Sequence, residues 1–165
     1  MISFFVPGIP QTKGSTRAFV VAGKPRITND NAKARPWQDA VAWAAREAGC
    51  TKAEPGVPVA VLAEFRYERP MSHYGAKGLR PSAPVCMANG KDADKTLRVI
   101  CDALTGIAYH DDRQANMPIP MKRYCEPNEV PGVMVYIAPG SMGILEAVKQ
   151  AFIDYAQHGP AAEGE

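Results

Sequence analysis

The segment from residue 92 to residue 112 constrains this chain more than any other, because it brings five carboxylates close together. These are Asp92, Asp94, Asp102, Asp111 and Asp112. Carboxylates at such a density repel one another unless a positive charge lies among them, and a hard divalent cation with oxygen ligands is the usual solution. The segment therefore predicts a Mg²⁺ site.

The apolar residues of the same segment recur at helical spacing. Leu97, Ile100, Cys101 and Leu104 lie at i, i+3, i+4 and i+7, which is one face of a helix. Gly106 suits the position just past a helix end. We therefore expect a helix from about Asp94 to Thr105, with the first two carboxylates at its N-terminal end. The short apolar chain after Gly106 can then carry the last two carboxylates back toward them.

Composition is typical of a single globular domain. The chain has 165 residues, of which 46% are hydrophobic and 22% charged, so it is long enough to bury one ordinary core. No apolar run approaches the ~18 residues that a membrane span needs, and no membrane association is expected. The apolar start, residues 1–7, lacks a basic segment and stops at a proline, which indicates a first strand rather than a signal peptide.

The cysteines argue against a zinc centre or a disulfide framework. Cys50, Cys86, Cys101 and Cys125 are scattered without a Cys-x-x-Cys pair, and the chain has three histidines. Reduced thiols in a cytoplasm are the expectation for such a pattern.

Charge is distributed unevenly although the net charge is only +2. Residues 1–91 contain thirteen Lys or Arg against six Asp or Glu, ahead of the acidic segment. A basic surface around an acidic pocket suits a metal-dependent enzyme that acts on a polyanion, and it also occurs by chance in many proteins. Lys13, Arg17, Lys24 and Arg26 fall in an early loop and hairpin, where they form either a phosphate-contacting edge or a solvated rim.

The chain is expected to form a single compact α/β (α+β) domain with a mixed β-sheet and helices packed on it. Strands are expected at residues 2–6, on both sides of Gly23, at 57–65 in the sheet interior, at 113–125 on an edge because of Pro118 and Pro120, and at 133–137. A helix is expected at residues 36–48. Residues 71–90 are expected to form a mobile loop that faces the substrate. The domain spans residues 1–140, followed by a C-terminal helix and frayed tail at 141–165.

Several motifs in this order resemble the RusA family of Holliday junction resolvases. They are Gly23-Lys24-Pro25-Arg26, Arg69-Pro70, the run from Asp92 to Gly106, Tyr109, and Asp111-Asp112-Arg113-Gln114. The resemblance covers about residues 2–137. It implies a small homodimeric α/β endonuclease that uses Mg²⁺, with Mn²⁺ as a substitute, to nick opposing strands of four-way DNA. Such an enzyme acts in recombination and repair, in the cytoplasm of a bacterial or phage-infected cell.

The resemblance also implies roles for individual residues. The essential carboxylates of the family match Asp92, Asp94 and Asp112, which are the expected metal ligands. The lysine of the family falls where this chain has Arg98, so Arg98 and the adjacent Lys95 are the expected catalytic cations. Asp102 and Asp111 are the expected supporting residues, and Asp102 is able to pair with Arg98 one turn earlier. The expected DNA contacts are Lys13, Arg17, Lys24, Arg26, Arg69, Lys77 and Arg80.

Two alternatives remain open from the sequence. The first is a nuclease that cuts flaps, forks or single strands instead of four-way junctions. The second is a catalytically weak protein that binds junctions through its basic surface, and Arg98 in place of lysine makes it conceivable. Retention of all three matching carboxylates argues against it, because an electrostatic DNA binder gains nothing from aspartates near phosphate.

Overall fold

In this computed structural model the helices and strands follow one another in nearly the order that the hydrophobic pattern predicts. The α-helices are α1 (Ala34–Glu47) and α2 (Ala93–Leu104). The strands are β1 (Ile2–Pro7), β2 (Thr16–Val21), β3 (Lys24–Asn29), β4 (Val59–Tyr67), β5 (Tyr74–Gly75), β6 (Gly78–Leu79), β7 (Met117–Tyr124) and β8 (Gly132–Pro139). Single turns of 3₁₀ helix lie at Met71–His73 and Asp112–Gln114.

The structure describes residues 1–14, 16–29 and 31–140, together with 145, 148–150 and 153. For residues 16, 17 and 26–29 it describes the backbone and not the side chains. The side chains of Arg17 and Arg26, two of the expected DNA contacts, are therefore outside the described part. So is most of the expected C-terminal helix and tail, although residues 145, 148–150 and 153 are helical.

Four strands form one mixed sheet in the order β1-β8-β4-β7. Strand β4 pairs antiparallel with β8 and parallel with β7. A parallel partner cannot be reached by a tight hairpin, so the chain crosses from β4 to β7 through α2. This crossover determines where the acidic segment lies. The sheet and its helices confirm the expected fold class.

The sequence of β4 explains its central place. All of its residues except Arg66 are buried, because both faces of the strand are covered. Strand β7 lies at the edge, as Pro118 and Pro120 predict, since a proline has no N–H to donate to a further strand. The expected edge strand began at residue 113, whereas β7 begins at Met117, because the preceding residues form the 3₁₀ turn.

The helices pack on one face of the sheet and enclose the main core. Trp37, Val41 and Ala45 of α1 and Val99, Ile100 and Leu104 of α2 are buried there with Val61, Phe65, Val133 and Val135 of the sheet. The opposite face carries a smaller cluster of Leu62 and Tyr136, on which Val148 of the C-terminal segment packs. None of the helices in the described part is long and apolar enough to cross a membrane.

The two short hairpins stand apart from this sheet. Strands β2 and β3 form a separate two-stranded sheet whose turn contains Ala22 (φ 51°) and Gly23 (φ 75°). The positive φ of Gly23 is as the sequence predicted, and positive φ at both central residues is the type I′ geometry. Strands β5 and β6 form another small hairpin within residues 71–90, so part of the expected loop has secondary structure.

A set of buried ion pairs lies on the sheet face opposite the helices. Arg123 Nε is 2.7 Å from Glu64 Oε1, and its guanidinium also donates to Glu129 at 2.8 Å. Arg66 donates to the same Glu64 oxygen at 2.9 Å. Glu64 is only 2% exposed and Arg123 only 7%, so each charge depends on its partners.

Replacing Arg123 by alanine should therefore destabilise the fold strongly, because it leaves Glu64 buried with Arg66 as its remaining cation in this set. We expect a loss of about 3 kcal/mol in the free energy of unfolding, measured by urea denaturation. Arg35→Ala is the matched control, since Arg35 forms an exposed pair with Asp39 and should cost about 0.5 kcal/mol or less. Equal losses in the two variants would contradict a structural role for the buried set.

Candidate active site

Two separate segments of the chain meet in an open cleft between α2 and β7, which we call the α2–β7 cleft. Its volume is about 400 Å³. It is lined by Asp94, Leu97, Arg98 and Cys101 of the helix, Asp112 and Ala115 of the turn that follows, and Pro118 and Pro120 of the strand. Two carboxylates and one guanidinium therefore share a pocket whose other walls are mostly apolar.

The helix positions its part of this set by regular spacing. Asp94, Arg98 and Cys101 lie four and three residues apart, so they project from one face of α2. Val99 and Ile100 project from the other side and are fully buried against the sheet. The core thus holds the helix while its polar face stays open to the cleft.

A tight return of the chain brings Asp112 to the same cleft. Gly106 follows the helix with φ +80°, a conformation that glycine adopts at little cost, and its N–H donates to the carbonyl of Tyr109 at 2.7 Å. Tyr109 is fully buried, and its hydroxyl donates to the carbonyl of Cys101 at 2.8 Å. These two hydrogen bonds therefore hold the segment after Gly106 against the C-terminal end of α2. The return expected from chain length is present for Asp112, which lines the same cleft as Asp94, whereas Asp111 lines a different pocket.

Gln114 fastens the turn that carries Asp112 to another part of the fold. Its side-chain oxygen accepts the N–H of His110 at 2.9 Å. Its side-chain nitrogen donates to the carbonyls of Glu54 and Val57 at 2.9 and 3.0 Å. One side chain thus joins the two ends of the acidic turn to the loop between α1 and β4.

The structure brings two of the three expected metal ligands together, and Asp92 is not among the residues that line the cleft. Asp92 is at the N-cap position of α2, where its side chain makes no capping hydrogen bond and instead forms an ion pair with Lys95 at 2.8 Å. The hydrogen bond from Lys95 and its charge hold the pKa of Asp92 below the usual value, and the charge of Lys122 adds to this effect. Asp92 is therefore ionised at neutral pH, which is the form that binds a cation.

The two supporting carboxylates have partners of their own. Asp111 accepts hydrogen bonds from the backbone and guanidinium of Arg113, which hold its pKa well below the usual range. Asp102 is 2.6 Å from Lys13 Nζ. The pairing of Asp102 with Arg98 that the spacing suggested is not observed, because Lys13 comes from the N-terminal loop to take that place. Within the described ranges Arg98 has no ion pair, and it is exposed.

The expected DNA contacts differ in their accessibility. Lys24, Lys77 and Arg80 are exposed, and Lys13 is half-buried beside Asp102. Arg69 is 5% exposed, contrary to the expectation from the sequence.

The contacts of Arg69 explain its burial. Its guanidinium donates to the carbonyls of Cys125 and Pro84 at 2.7 and 2.8 Å and pairs with Glu126 at 3.3 Å. Arg69 therefore joins three segments of the fold, and it is not available to a DNA phosphate in this structure.

The arrangement fits a magnesium ion by the chemistry of its donors. Asp94 and Asp112 offer carboxylate oxygens, and Mg²⁺ is usually bound by one or two carboxylates with water completing its shell. In the part of the chain that the structure describes, no three His, Cys, Asp or Glu side chains lie close enough to hold a metal ion on their own. The full set of three ligands therefore stays a prediction.

Sequence reasoning missed three kinds of residue around the cleft. Cys101 was assigned to an apolar helix face, Gln114 had no role, and the prolines of β7 indicated an edge strand but not a cleft wall. Helical spacing could have found Cys101, which lies seven residues after Asp94. The others required the tertiary structure.

The reactivity of the Cys101 thiol tests whether the helix wall of the cleft is shielded from water. Burial raises the pKa of the Cys101 thiol to about 11, so that about one thiol in 10³ is ionised at pH 8. Cys86 is exposed. We expect iodoacetamide at pH 8 to modify Cys86 much faster than Cys101, with Cys101 becoming reactive only as the pH approaches 11. Peptide mapping by mass spectrometry measures both rates, and equal rates would contradict a desolvated wall.

Comparison with known proteins identifies one family. The sequence model of the family described as Endodeoxyribonuclease RusA matches residues 7–138 of the 165. That range contains every residue of the α2–β7 cleft. No curated protein matches the chain significantly. The chain therefore belongs to the RusA family of endodeoxyribonucleases, hydrolases that act on the phosphodiester bonds of Holliday junctions.

Proposed function

We propose that this chain is a Mg²⁺-dependent, structure-specific endonuclease that resolves four-way DNA junctions by paired hydrolytic nicks, in recombination and repair. The observation that carries the proposal is the convergence of Asp94, Arg98 and Asp112, from two different segments, in one open cleft. Family membership supports the reaction, because RusA proteins are endodeoxyribonucleases.

Asp94 and Asp112 are the proposed first ligands of the ion, and Asp92 is the proposed third. Bound Mg²⁺, or Mn²⁺ in its place, would polarise the scissile phosphate and lower the pKa of an attacking water. Asp92 is ionised at neutral pH, and a bound cation would take the place of Lys95 beside its carboxylate.

Arg98 is the proposed phosphate-binding group of the helix wall. Its guanidinium faces the same cleft as the two carboxylates and has no ion pair among the described residues. A planar guanidinium can donate two hydrogen bonds to one phosphate, whereas lysine acts as a compact point charge. Arg98 therefore fits the binding and charge stabilisation of a phosphodiester in this position.

The apolar part of the cleft suits the rest of the nucleotide. Leu97, Pro118 and Pro120 present hydrocarbon beside the charged groups. A deoxyribose can pack on such a surface while its phosphate meets Arg98. Packing of this kind excludes water from one side of the phosphate and strengthens the electrostatic interactions inside the cleft.

The proposed substrate and assembly follow from symmetry and charge. Two opposing cuts in a four-way junction call for two equivalent sites, and a symmetric homodimer supplies them. The exposed Lys24, Lys77 and Arg80 are proposed to contact phosphates along the arms. The protein is proposed to work in the cytoplasm of a bacterial or phage-infected cell.

The central test is nicking of a synthetic four-way junction with and without Mg²⁺. Paired nicks are expected only with the ion, and Asp94→Asn and Asp112→Asn should abolish them while junction binding persists. Asp39→Asn is the control, because Asp39 lies on α1 in an exposed pair. Undiminished cutting by both site variants would refute the assigned site. Equal or faster cutting of flaps, forks or single strands would favour the broader nuclease.

Gln114 provides a second test, since it fastens the turn that holds Asp112. Gln114→Glu keeps the acceptor for the His110 N–H but loses both donors to the carbonyls of Glu54 and Val57. We expect nicking to need a higher Mg²⁺ concentration, with junction affinity unchanged. Asn128→Asp, an amide-to-acid change at an exposed residue between β7 and β8, is the matched control for the added charge. An unchanged Mg²⁺ midpoint in Gln114→Glu would show that the turn is held by its other contacts.

A further inference from the structure

The strand wall of the α2–β7 cleft continues in Lys122. Successive side chains of a strand point to opposite faces. Ile119, Met121 and Arg123 point away from the helices, as their contacts with the second cluster and with Glu64 show. Pro118, Pro120 and Lys122 therefore belong to the other row, and the two prolines line the cleft. Lys122 is the next residue of that row.

The ammonium of Lys122 lies beside the acidic end of α2. Its Nζ donates to the carbonyl of Lys91 at 3.0 Å, and Lys91 directly precedes Asp92. A lysine ammonium has three donors, and this bond uses one of them. Within residues 1–14, 16–29 and 31–140 no carboxylate lies at ion-pair distance from Lys122, although the residue is half-buried. A cation held in that state has donors left for an anionic ligand.

Other lysines near the site have different partners. Lys95 pairs with Asp92, and Lys13 pairs with Asp102. Lys91 donates to the carbonyl of Pro10. Arg98, Lys91 and Lys122 thus have no carboxylate at ion-pair distance among the described residues. Of these three, Arg98 lines the helix wall of the cleft, and Lys122 belongs to the strand row that forms the opposite wall.

We propose that Lys122 is a further active-site residue, which binds a non-bridging oxygen of the DNA phosphate in the α2–β7 cleft from the strand side, opposite Arg98. The inference rests on the proposed function and adds a residue to it. Lys122 contributes a positive charge where the pentacoordinate phosphate gains negative charge. Because the charge is already in place before the reaction, little reorganisation is needed when the phosphate changes.

A purely structural role would give Lys122 only the task of holding the Lys91 carbonyl. The two roles require different chemistry. Holding a carbonyl needs an N–H donor, which glutamine also has. Stabilising a phosphate in the transition state needs a positive charge, which glutamine lacks and arginine keeps. Lys122→Gln and Lys122→Arg therefore separate the two roles.

The experiment measures single-turnover nicking of a four-way junction in Mg²⁺, together with junction affinity at several salt concentrations and the Tm. Lys122→Gln should lower the nicking rate on the order of 10²-fold, and Lys122→Arg should recover a large part of it. Lys122→Gln should also reduce the slope of log affinity against log salt by about 0.9, as expected for one lost phosphate contact. Lys52→Gln is the control, because Lys52 is an exposed lysine outside the cleft.

Nicking by Lys122→Gln at the wild-type rate, with an unchanged salt slope, would overturn the inference and leave the proposed function intact. Absence of nicking by the wild type under all divalent ions would instead remove the proposed function itself, and the inference with it. If Lys122→Gln has a low Tm, Lys122→Met carries the comparison, since it keeps the aliphatic stem without the charge. A folded Lys122→Met variant that nicks the junction as fast as Lys122→Arg would also overturn the inference, because the positive charge would then make no difference to the rate.

Discussion

The parallel pairing of β4 with β7 is the constraint on which the site depends. A parallel neighbour requires a crossover, and the crossover here contains α2 and the return through Tyr109. The helix is held to the sheet by Val99 and Ile100, so its opposite face stays open beside the edge strand. The cleft is therefore a consequence of the connection that builds the sheet, and both of its walls are rigid elements of the fold.

Electrostatics then divides the acidic segment into paired and unpaired carboxylates. Asp92, Asp102 and Asp111 each have a cation at ion-pair distance. Asp94 and Asp112 have none among the described residues, and they are the two that line the cleft. Carboxylates that repel each other without an internal cation favour a ligand that supplies positive charge. The fold thus leaves these two cleft carboxylates without a cation at ion-pair distance among the described residues.

Local chemistry was sufficient for the elements that carry the site. The apolar spacing around Leu97 predicted α2 to within one residue at each end, and Gly106 marked its end. The two prolines placed β7 on an edge, and the β-branched run placed β4 inside the sheet. These predictions succeeded because a helical repeat, a missing N–H and a positive φ are properties of a residue and its neighbours. Arg69 was misjudged because its burial depends on Cys125 and Pro84, which are distant in sequence.

The sequence by itself determined the family and the α2 helix. It also determined that carboxylates lie at the start of this helix and just after its end. These features follow from the order of motifs and the spacing of apolar residues, which are properties of the sequence alone. Only the tertiary structure decided which carboxylates meet, which already have a cation, and which basic residues are buried. Those outcomes depend on contacts across 89 positions, as between Lys13 and Asp102, or between strands that a crossover brings together. No local sequence pattern predicts these contacts, since side chains from separate segments come within reach of one another only when the core has packed.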